Sequence, residues 1–175
     1  MAMEGREVLV LEKNNQIGGN LQVFARNGVI FDTGVHYVGG LEEGQNLNQI
    51  FDYHGIMKDL DLEEMDAEGF DVISFENDSI KYPWAQGYEG FEKSLVNQFP
   101  EEKEGIRKYI DKMRWICLQF PLYNLKNGAV KRSHEVLTLN AKEFIDSVTT
   151  NKKLQSVLAG NNFLYAGDAE RTPFY

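Results

Sequence analysis

The clearest hydrophobic pattern in the chain follows Pro100 and repeats at three- and four-residue steps. Charged residues occupy the opposite positions, and the pattern predicts an amphipathic helix bounded by Pro100 and Pro121. The apolar positions are Ile106, Tyr109, Ile110, Met113, Ile116, Cys117 and Phe120. Because Cys117 lies on this stripe, we expect a buried, inert thiol.

Three further helices are predicted from similar spacing, over residues 45–57, 88–99 and 152–158. Another begins at Asn140, where Asn140 and Glu143 have the spacing of a capping arrangement ahead of an apolar run. The helices are therefore concentrated in the later part of the chain.

Strand patterns occur earlier in the chain. Residues 6–12 contain a continuous Val-Leu run, which is typical of a strand buried on both faces, as in a parallel sheet. Residues 21–25 and 29–32 flank Asn27-Gly28 and predict a hairpin. A second hairpin is predicted over residues 70–82.

This order of elements predicts an α/β fold. We interpret it as a partial FAD/NAD(P)-binding Rossmann-like domain with an inserted helix-rich α+β substrate segment. The corresponding ranges are 1–42 for the partial binding domain and 43–175 for the substrate segment.

Composition narrows the possible functions. The chain has 175 residues, a net charge of -9 and Lys and Arg interleaved with acids, so we set nucleic-acid binding aside. It has a single cysteine and no apolar run of membrane-spanning length. We expect a cytoplasmic protein, with peripheral membrane contact left open. The three histidines lack zinc-type spacing, and no metal site is expected.

Glu12 and a series of glycines are the candidate cofactor-binding residues. In a dinucleotide-binding unit, an acidic residue at the end of the second strand accepts hydrogen bonds from the adenosine ribose. A solvated glutamate at a strand end is the alternative. Gly18 and Gly19 follow Glu12 and permit close approach of a ligand to the backbone. Residues 31–40 add three glycines to an apolar, aromatic run that would pass beside a flat ring.

These residues together resemble the phytoene desaturase family. The resemblance covers residues 8–40, including Val8-Leu9-Val10-Leu11-Glu12-Lys13, Ile17-Gly18-Gly19, Gly28 and Phe31-Asp32-Thr33-Gly34-Val35-His36-Tyr37. The Asp-x-Gly-x-His stretch is closest in character to the branch with carotenoid isomerases and retinol saturase. A weaker resemblance extends over residues 82–104.

The resemblance implies FAD and a lipophilic, polyene-like substrate whose carbon–carbon bonds exchange hydride with the flavin. It assigns Glu12 to the adenosine ribose, and Gly18 and Gly19 to the diphosphate and ribityl region. It places Asp32, Thr33, Gly34 and His36 near the flavin ring, with His36 as the catalytic candidate.

A glycine-rich fingerprint normally lies ~20 residues before the acidic residue. Only eleven residues precede Glu12, and they contain no such fingerprint. We therefore expect a fragment of a longer enzyme that binds FAD weakly or not at all and is inactive by itself.

The run at residues 163–169 ends in Gly167-Asp168, and many flavoenzymes use such an aspartate to hold the ribityl chain. Its position favours a substrate-domain loop instead, with Asp168 kept as a candidate. Residues 115–123 are rich in aromatic and aliphatic side chains and are expected mainly in the core, with a substrate tunnel or membrane contact as alternatives.

Two rival functions remain open. One is a piece of a flavin amine oxidase. The other is a non-catalytic module that folds without FAD and self-associates, because a strand at 8–11 without a neighbour would leave an open sheet edge.

Overall fold

The computed structural model of the protein describes residues 1–125, 134–165 and 167–175, without the side chains of residues 134, 163 and 165. The chain divides into two compact units, Met1–Met57 and Lys58–Tyr175. The domain ranges 1–42 and 43–175 stay a prediction.

The strands come in two consecutive pairs along the chain, and most of the helices follow the second pair. The strands are β1 (Val23–Arg26), β2 (Val29–Asp32), β3 (Asp71–Ser74) and β4 (Lys81–Trp84). The helices are α1 (Asn46–Tyr53), α2 (Tyr88–Gln98), α3 (Lys103–Cys117), α4 (Pro121–Asn124), α5 (His134–Thr138), α6 (Ala141–Val148) and α7 (Lys152–Leu158). Short 3-10 helices cover Ala2–Glu4, Gly19–Leu21, Met57–Asp59, Pro100–Glu102 and Gly160–Tyr165.

The Met1–Met57 unit contains the first hairpin and α1. β1 and β2 pair antiparallel, with Phe24 opposite Phe31 and their rings stacked at 5.2 Å. Asn27 and Gly28 at the turn both have positive φ, at 52° and 80°, as the Asn-Gly pattern predicts. This confirms the first predicted hairpin, with small shifts at its ends.

The buried strand predicted over residues 6–12 is wrong for this chain. These residues have no regular secondary structure, and Leu9 and Leu11 are 83% and 84% exposed. A strand needs neighbouring backbone to complete its hydrogen bonds and neighbouring side chains to cover its faces. No strand pairs with this run among the described residues, so its Val-Leu pattern does not form a strand here.

The Lys58–Tyr175 unit combines the second hairpin with α2 to α7. β3 and β4 pair antiparallel, with Ile73 opposite Tyr82. Helix α2 packs on β4 and on α3, and α6 packs on α3. The fully buried side chains of this unit are aliphatic: Leu95, Ile106, Ile110, Val136, Leu154 and Val157.

Most of the predicted helices are confirmed. Helix α3 begins after the Pro100–Glu102 turn and buries Ile106, Tyr109, Ile110 and Ile116, while the rest of the predicted stripe is only partly buried. Helix α7 has the predicted bounds. Asn140 caps α6, because its side-chain oxygen accepts the backbone N–H of Glu143 at 2.9 Å.

Cys117 is less buried than the sequence predicted. Its thiol is half-buried and accepts a hydrogen bond from the Tyr88 hydroxyl at 3.4 Å. Burial of Tyr88, followed by this hydrogen bond, raises the pKa of that phenol. The position lies at the end of α3, where the stripe leaves the core.

A glycine sets the approach of α3 to the end of α6. A Cβ on Gly105 would lie 2.2 Å from the carbonyl oxygen of Val148, which is closer than any real contact. Because that obstacle is backbone, a larger residue would force the two segments apart. Gly90, on α2, differs from it, since a Cβ there would make an ordinary 3.5 Å contact with Ala85.

Asp78 connects the β3–β4 turn to α7. Its carboxylate pairs with the Lys153 ammonium and accepts the Tyr82 hydroxyl at 2.8 Å and the backbone N–H of Ile80 at 2.9 Å. The hydrogen bond from Lys153, followed by those from Ile80 and Tyr82, lowers the pKa of Asp78 to about 2. The ionised carboxylate is therefore the form that the folded unit stabilises.

No helix among the described residues is both long enough and apolar enough to cross a lipid bilayer.

Replacing Gly105 with alanine is expected to lower the free energy of unfolding by about 1–3 kcal/mol, since overpacking outweighs the helical preference for alanine. The matched change Gly90→Ala should be neutral or stabilising by up to about 1 kcal/mol. Urea unfolding followed by tryptophan fluorescence measures both, because both tryptophans, Trp84 and Trp115, lie in this unit. Equal effects of the two changes would contradict the close contact at Gly105.

Replacing Asp78 with asparagine is expected to destabilise the Lys58–Tyr175 unit at pH 7. The folded pKa lies below the unfolded value, so the stabilisation is present above about pH 4 and is lost as the pH falls towards 2. The difference in free energy of unfolding between wild type and Asp78→Asn, measured in urea, should be smaller at pH 2.5 than at pH 7. Asp61→Asn, at an exposed position, is the control. A difference between wild type and Asp78→Asn that stays constant with pH would refute this account.

Candidate functional site

The two glycines after the Val-Leu run form a tight turn. Gly18 has φ 119° and Gly19 has φ 56°, which side chains rarely adopt. The N–H groups of Leu21 and Gln22 close the turn on the carbonyls of Gly18 and Gly19, at 2.9 and 3.2 Å. A Cβ on Gly19 would meet nothing within 4 Å, so its bare backbone faces open space.

The structure brings Thr33 and Gly34 to this turn. The backbone N–H and the hydroxyl of Thr33 both donate to the Gln22 carbonyl, at 3.1 and 2.7 Å. A Cβ on Gly34 would lie 3.3 Å from the carbonyl oxygen of Asn20. Four of the candidate cofactor residues, from two separate parts of the sequence, therefore form one local cluster, which we call the glycine-turn cluster: Gly18, Gly19, Thr33 and Gly34.

Glu12 is exposed at the end of the Val-Leu run. One oxygen of its carboxylate, Oε1, accepts the backbone N–H of Asn14 at 2.8 Å. The other oxygen, Oε2, makes no hydrogen bond to any described residue, so it is available to a donor such as a ribose hydroxyl. No hydrogen bond links Glu12 to the glycine-turn cluster among the described residues.

Asp32 and His36 lie on either side of Thr33 and Gly34. Asp32 ends β2 opposite Val23, and both Asp32 and His36 are exposed. Neither side chain makes a hydrogen bond to another described residue. Asp32 and His36 are therefore close to the cluster along the sequence, but no hydrogen bond to a described residue fixes the direction of their side chains.

Asp168 lies in the Lys58–Tyr175 unit, whereas the other candidates lie in Met1–Met57. Its Oδ1 accepts the N–H of Glu170 at 2.9 Å, and its carbonyl accepts those of Arg171 and Thr172 at 3.0 and 2.7 Å. These bonds make it the first residue of a turn, which fits the loop expected from the sequence. Residue 166 and the side chains of residues 163 and 165 lie outside the described residues.

The residues present fit the ribose half of a dinucleotide better than the flavin half. A carboxylate with a free oxygen and an unobstructed glycine backbone are features that an adenosine ribose and its neighbouring phosphates require. Of the residues that the resemblance assigns to the flavin region, Thr33 and Gly34 have local contacts, whereas the His36 side chain makes no hydrogen bond to another described residue.

An open groove of about 430 Å³ lies between α3 and α6, lined by Lys108, Asp111, Lys112, Trp115, Phe144, Ser147 and Val148. The Lys112 ammonium lies 4.6 Å from the centre of the Trp115 ring and 2.7 Å from a carboxylate oxygen of Glu135. Sequence reasoning assigned Trp115 to the apolar region and missed this pair. The three-residue spacing of Lys112 and Trp115 on one helix was the available signal.

No group of three or more His, Cys, Asp or Glu side chains within residues 1–125, 134–165 and 167–175 is arranged to hold a metal ion.

Comparison with known proteins adds a family match to this geometry. Residues 1–54 match the NAD(P)-binding Rossmann-like domain. This range contains Glu12, the glycine-turn cluster, Asp32 and His36. The match supports a dinucleotide-binding type of fold for this part of the chain.

Curated relatives match over most of the chain. The all-trans-retinol 13,14-reductases of Macaca fascicularis and Homo sapiens are 38% and 37% identical to it over 177 aligned residues, covering 91% of this chain. Prolycopene isomerase 1 of an Oncidium hybrid cultivar is 34% identical over 110 residues, covering 62% of this chain and 18% of the isomerase.

The chain spans 29% of the length of the two reductases. No solved structure matches it. The resemblance predicted from the sequence is confirmed: the chain is similar to retinol 13,14-reductases and to a prolycopene isomerase, and its first 54 residues match a Rossmann-like family.

Proposed function

We propose that this chain supplies part of the dinucleotide-binding domain, and part of the substrate segment, of an FAD-dependent oxidoreductase. The substrate would be a retinoid- or carotenoid-like molecule whose carbon–carbon bond exchanges hydride with the flavin. The strongest support is the alignment with all-trans-retinol 13,14-reductase over 91% of the chain. The Rossmann-like match of residues 1–54 supports the cofactor half of the proposal.

The residues of this chain would contribute by binding the cofactor. Glu12 Oε2 would accept a ribose hydroxyl, and the bare backbone at Gly19 would allow the diphosphate to approach. Thr33 and Gly34 would position the segment that leads to His36. Bound flavin would supply the hydride chemistry, while the protein orients it and excludes water.

We expect this chain by itself to bind FAD weakly and to lack turnover. Glu12 follows a Val-Leu run that forms no strand here, so its carboxylate has one local hydrogen bond, from the Asn14 N–H, but no sheet fixes its direction. Ordering this segment would consume much of the free energy that the new hydrogen bonds provide. Retention of stoichiometric flavin through purification would contradict this expectation.

Titration with FAD, followed by amide chemical shifts in NMR, tests the proposed site even if affinity is low. Shifts should be confined to residues 12–36. Glu12→Gln should weaken binding about 10-fold, the loss expected for a charge-assisted hydrogen bond. Glu7→Gln, a second exposed glutamate in the same segment, should change nothing.

The absence of shifts at millimolar FAD would overturn the proposed cofactor role of this segment in the chain. Equal losses for Glu12→Gln and Glu7→Gln would overturn the assignment of Glu12 to the ribose.

The exposed Val-Leu run favours a second candidate, a non-catalytic module that self-associates. Leu9 and Leu11 are exposed at alternate positions, and two copies pairing here would cover them and complete their backbone hydrogen bonds. The second candidate needs no cofactor.

Light scattering at rising concentration tests self-association. If the run pairs with a second copy, the mass should rise with concentration, and the double change Leu9→Lys with Leu11→Lys should restore a monomer. Leu62→Lys, at another exposed leucine, is the matched control and should still associate. A monomer at every concentration would exclude the self-associating module.

A further inference from the structure

Residues 172–175 run antiparallel to the residues at the start of α6, and we call this segment the 172–175 strap. The N–H of Ala141 donates to the Thr172 carbonyl at 2.9 Å, and the N–H of Phe174 donates to the Leu139 carbonyl at the same distance. The proline between Thr172 and Phe174 has no N–H, and this bridge does not require one from it. The strap therefore adds a short strand to the backbone at the start of α6.

An aromatic pocket holds the strap at its third residue, Phe174. The centre of the Phe174 ring lies 4.8 Å from that of Phe144 and 5.2 Å from that of Tyr109, both in edge-to-face contact. Tyr109 is buried, whereas the last residue of the strap, Tyr175, stacks on Phe120 and is 55% exposed. One aromatic side chain in a pocket and two backbone hydrogen bonds are contacts by which proteins bind extended peptides.

The space beside the strap is only partly filled. An open groove of about 300 Å³ lies between the strap and the connection from α5 to α6, and Pro173 and Glu143 both line it. The Glu143 side chain is exposed, and its carboxylate makes no hydrogen bond or salt bridge to a described residue. Arg171, just before the strap, lines the groove without a salt bridge to Glu143. The site is therefore larger than the segment that occupies it and offers a free carboxylate to a cation.

We propose that the start of α6 and the pocket of Tyr109 and Phe144 form a docking site for an extended peptide of a partner protein, which the 172–175 strap occupies within the chain. The partner segment carries an aromatic residue at the Phe174 position and a basic residue one position earlier, where it reaches Glu143. The strap acts as an intramolecular competitor, because its tether gives it a high effective concentration. A peptide fits better than a small molecule, because the site presents a backbone donor and a backbone acceptor in strand register.

Isothermal titration calorimetry with synthetic peptides tests the site directly. The native probe has the sequence of residues 168–175 with an acetylated amino end, and the control probe has alanine at the position of Phe174. Phe174→Ala in the chain removes the intramolecular competitor, so this variant should bind the native probe at least about tenfold more tightly than the wild-type chain does. The control probe should bind neither chain. No FAD or substrate is present, so failure here would leave the proposed function untouched.

Two proline substitutions test the backbone contact. Ala141→Pro, at the first position of α6, removes the N–H that donates to the Thr172 carbonyl, at a place where helices tolerate proline. Introduced into the Phe174→Ala chain, it should weaken binding of the native probe about fivefold. Lys152→Pro, at the first position of α7, is the matched control and should leave binding unchanged.

The charge at the groove is tested with a third probe, in which arginine replaces Pro173. The Phe174→Ala chain should bind this probe about threefold more tightly than the native probe, the gain expected for an exposed ion pair. Glu143→Gln should abolish the gain. Glu104→Gln, at an exposed glutamate of α3, is the matched control and should preserve it.

Amide hydrogen exchange on the wild-type chain covers the case in which a substitution prevents folding. The amides of Ala141 and Phe174 should exchange faster than those in the centre of α3, because the strap opens while the core stays folded. Equal protection of these amides would overturn the proposal, since the strap would then leave its site only on global unfolding.

Three outcomes of the peptide experiments would also overturn the proposal. These are no binding of the native probe to the Phe174→Ala chain, equal binding of that probe to the wild-type and Phe174→Ala chains, and equal binding of the native and control probes. Dimers of the wild-type chain that the native probe dissociates would identify a second copy as the occupant, which contradicts docking of a partner protein.

Discussion

The buried stripe of α3 is the contact surface on which the Lys58–Tyr175 unit depends. Ile106 and Ile110 are almost completely buried, and they belong to one cluster with Leu95 of α2 and Leu154 of α7. Removal of such aliphatic surface from water is the main favourable contribution to folding. Gly105 allows this packing, since it lets α3 approach the Val148 carbonyl at the end of α6.

The Met1–Met57 unit, by contrast, shows what happens when apolar side chains are not covered. Its Val-Leu run and both faces of the β1–β2 hairpin carry apolar side chains that the described residues leave exposed. Local turn chemistry still forms, as at Asn27-Gly28 and at Gly18-Gly19, because it needs only neighbouring residues. Glu12 therefore has a defined local hydrogen bond but no sheet to fix its direction.

The sequence predicted the features that depend on local or periodic signals. The bounds of α7, the Asn140 cap and the β1–β2 turn follow from spacing and residue type. The prediction of a strand over residues 6–12 was wrong because pairing depends on other segments. The Asp78–Lys153 pair joins residues far apart in the sequence, which no short-range pattern identifies.

Within the candidate site, the glycine positions were predictable and the geometry was not. Glycine at positions 18 and 19 permits the positive φ found there, whereas the contacts of Thr33 and Gly34 with Gln22 and Asn20 depend on the fold. The exposure of Leu118, Leu122 and Tyr123 was not predicted, because the apolar pattern continues past the point where α3 leaves the core. Helical periodicity identifies the apolar face of a helix, but it does not show where along the helix other segments stop covering that face.

The apolar side chains of the Lys58–Tyr175 unit are buried in a core, whereas those of the Val-Leu run are exposed. Amide hydrogen exchange in dilute solution tests this difference most directly. The amides of Val8 to Leu11 should exchange at nearly the rate of an unstructured peptide. Those in the centres of α3 and α7 should be slowed about a thousandfold or more, as in a cooperatively folded core. Slow exchange throughout the Val-Leu run of the monomeric chain would contradict this account.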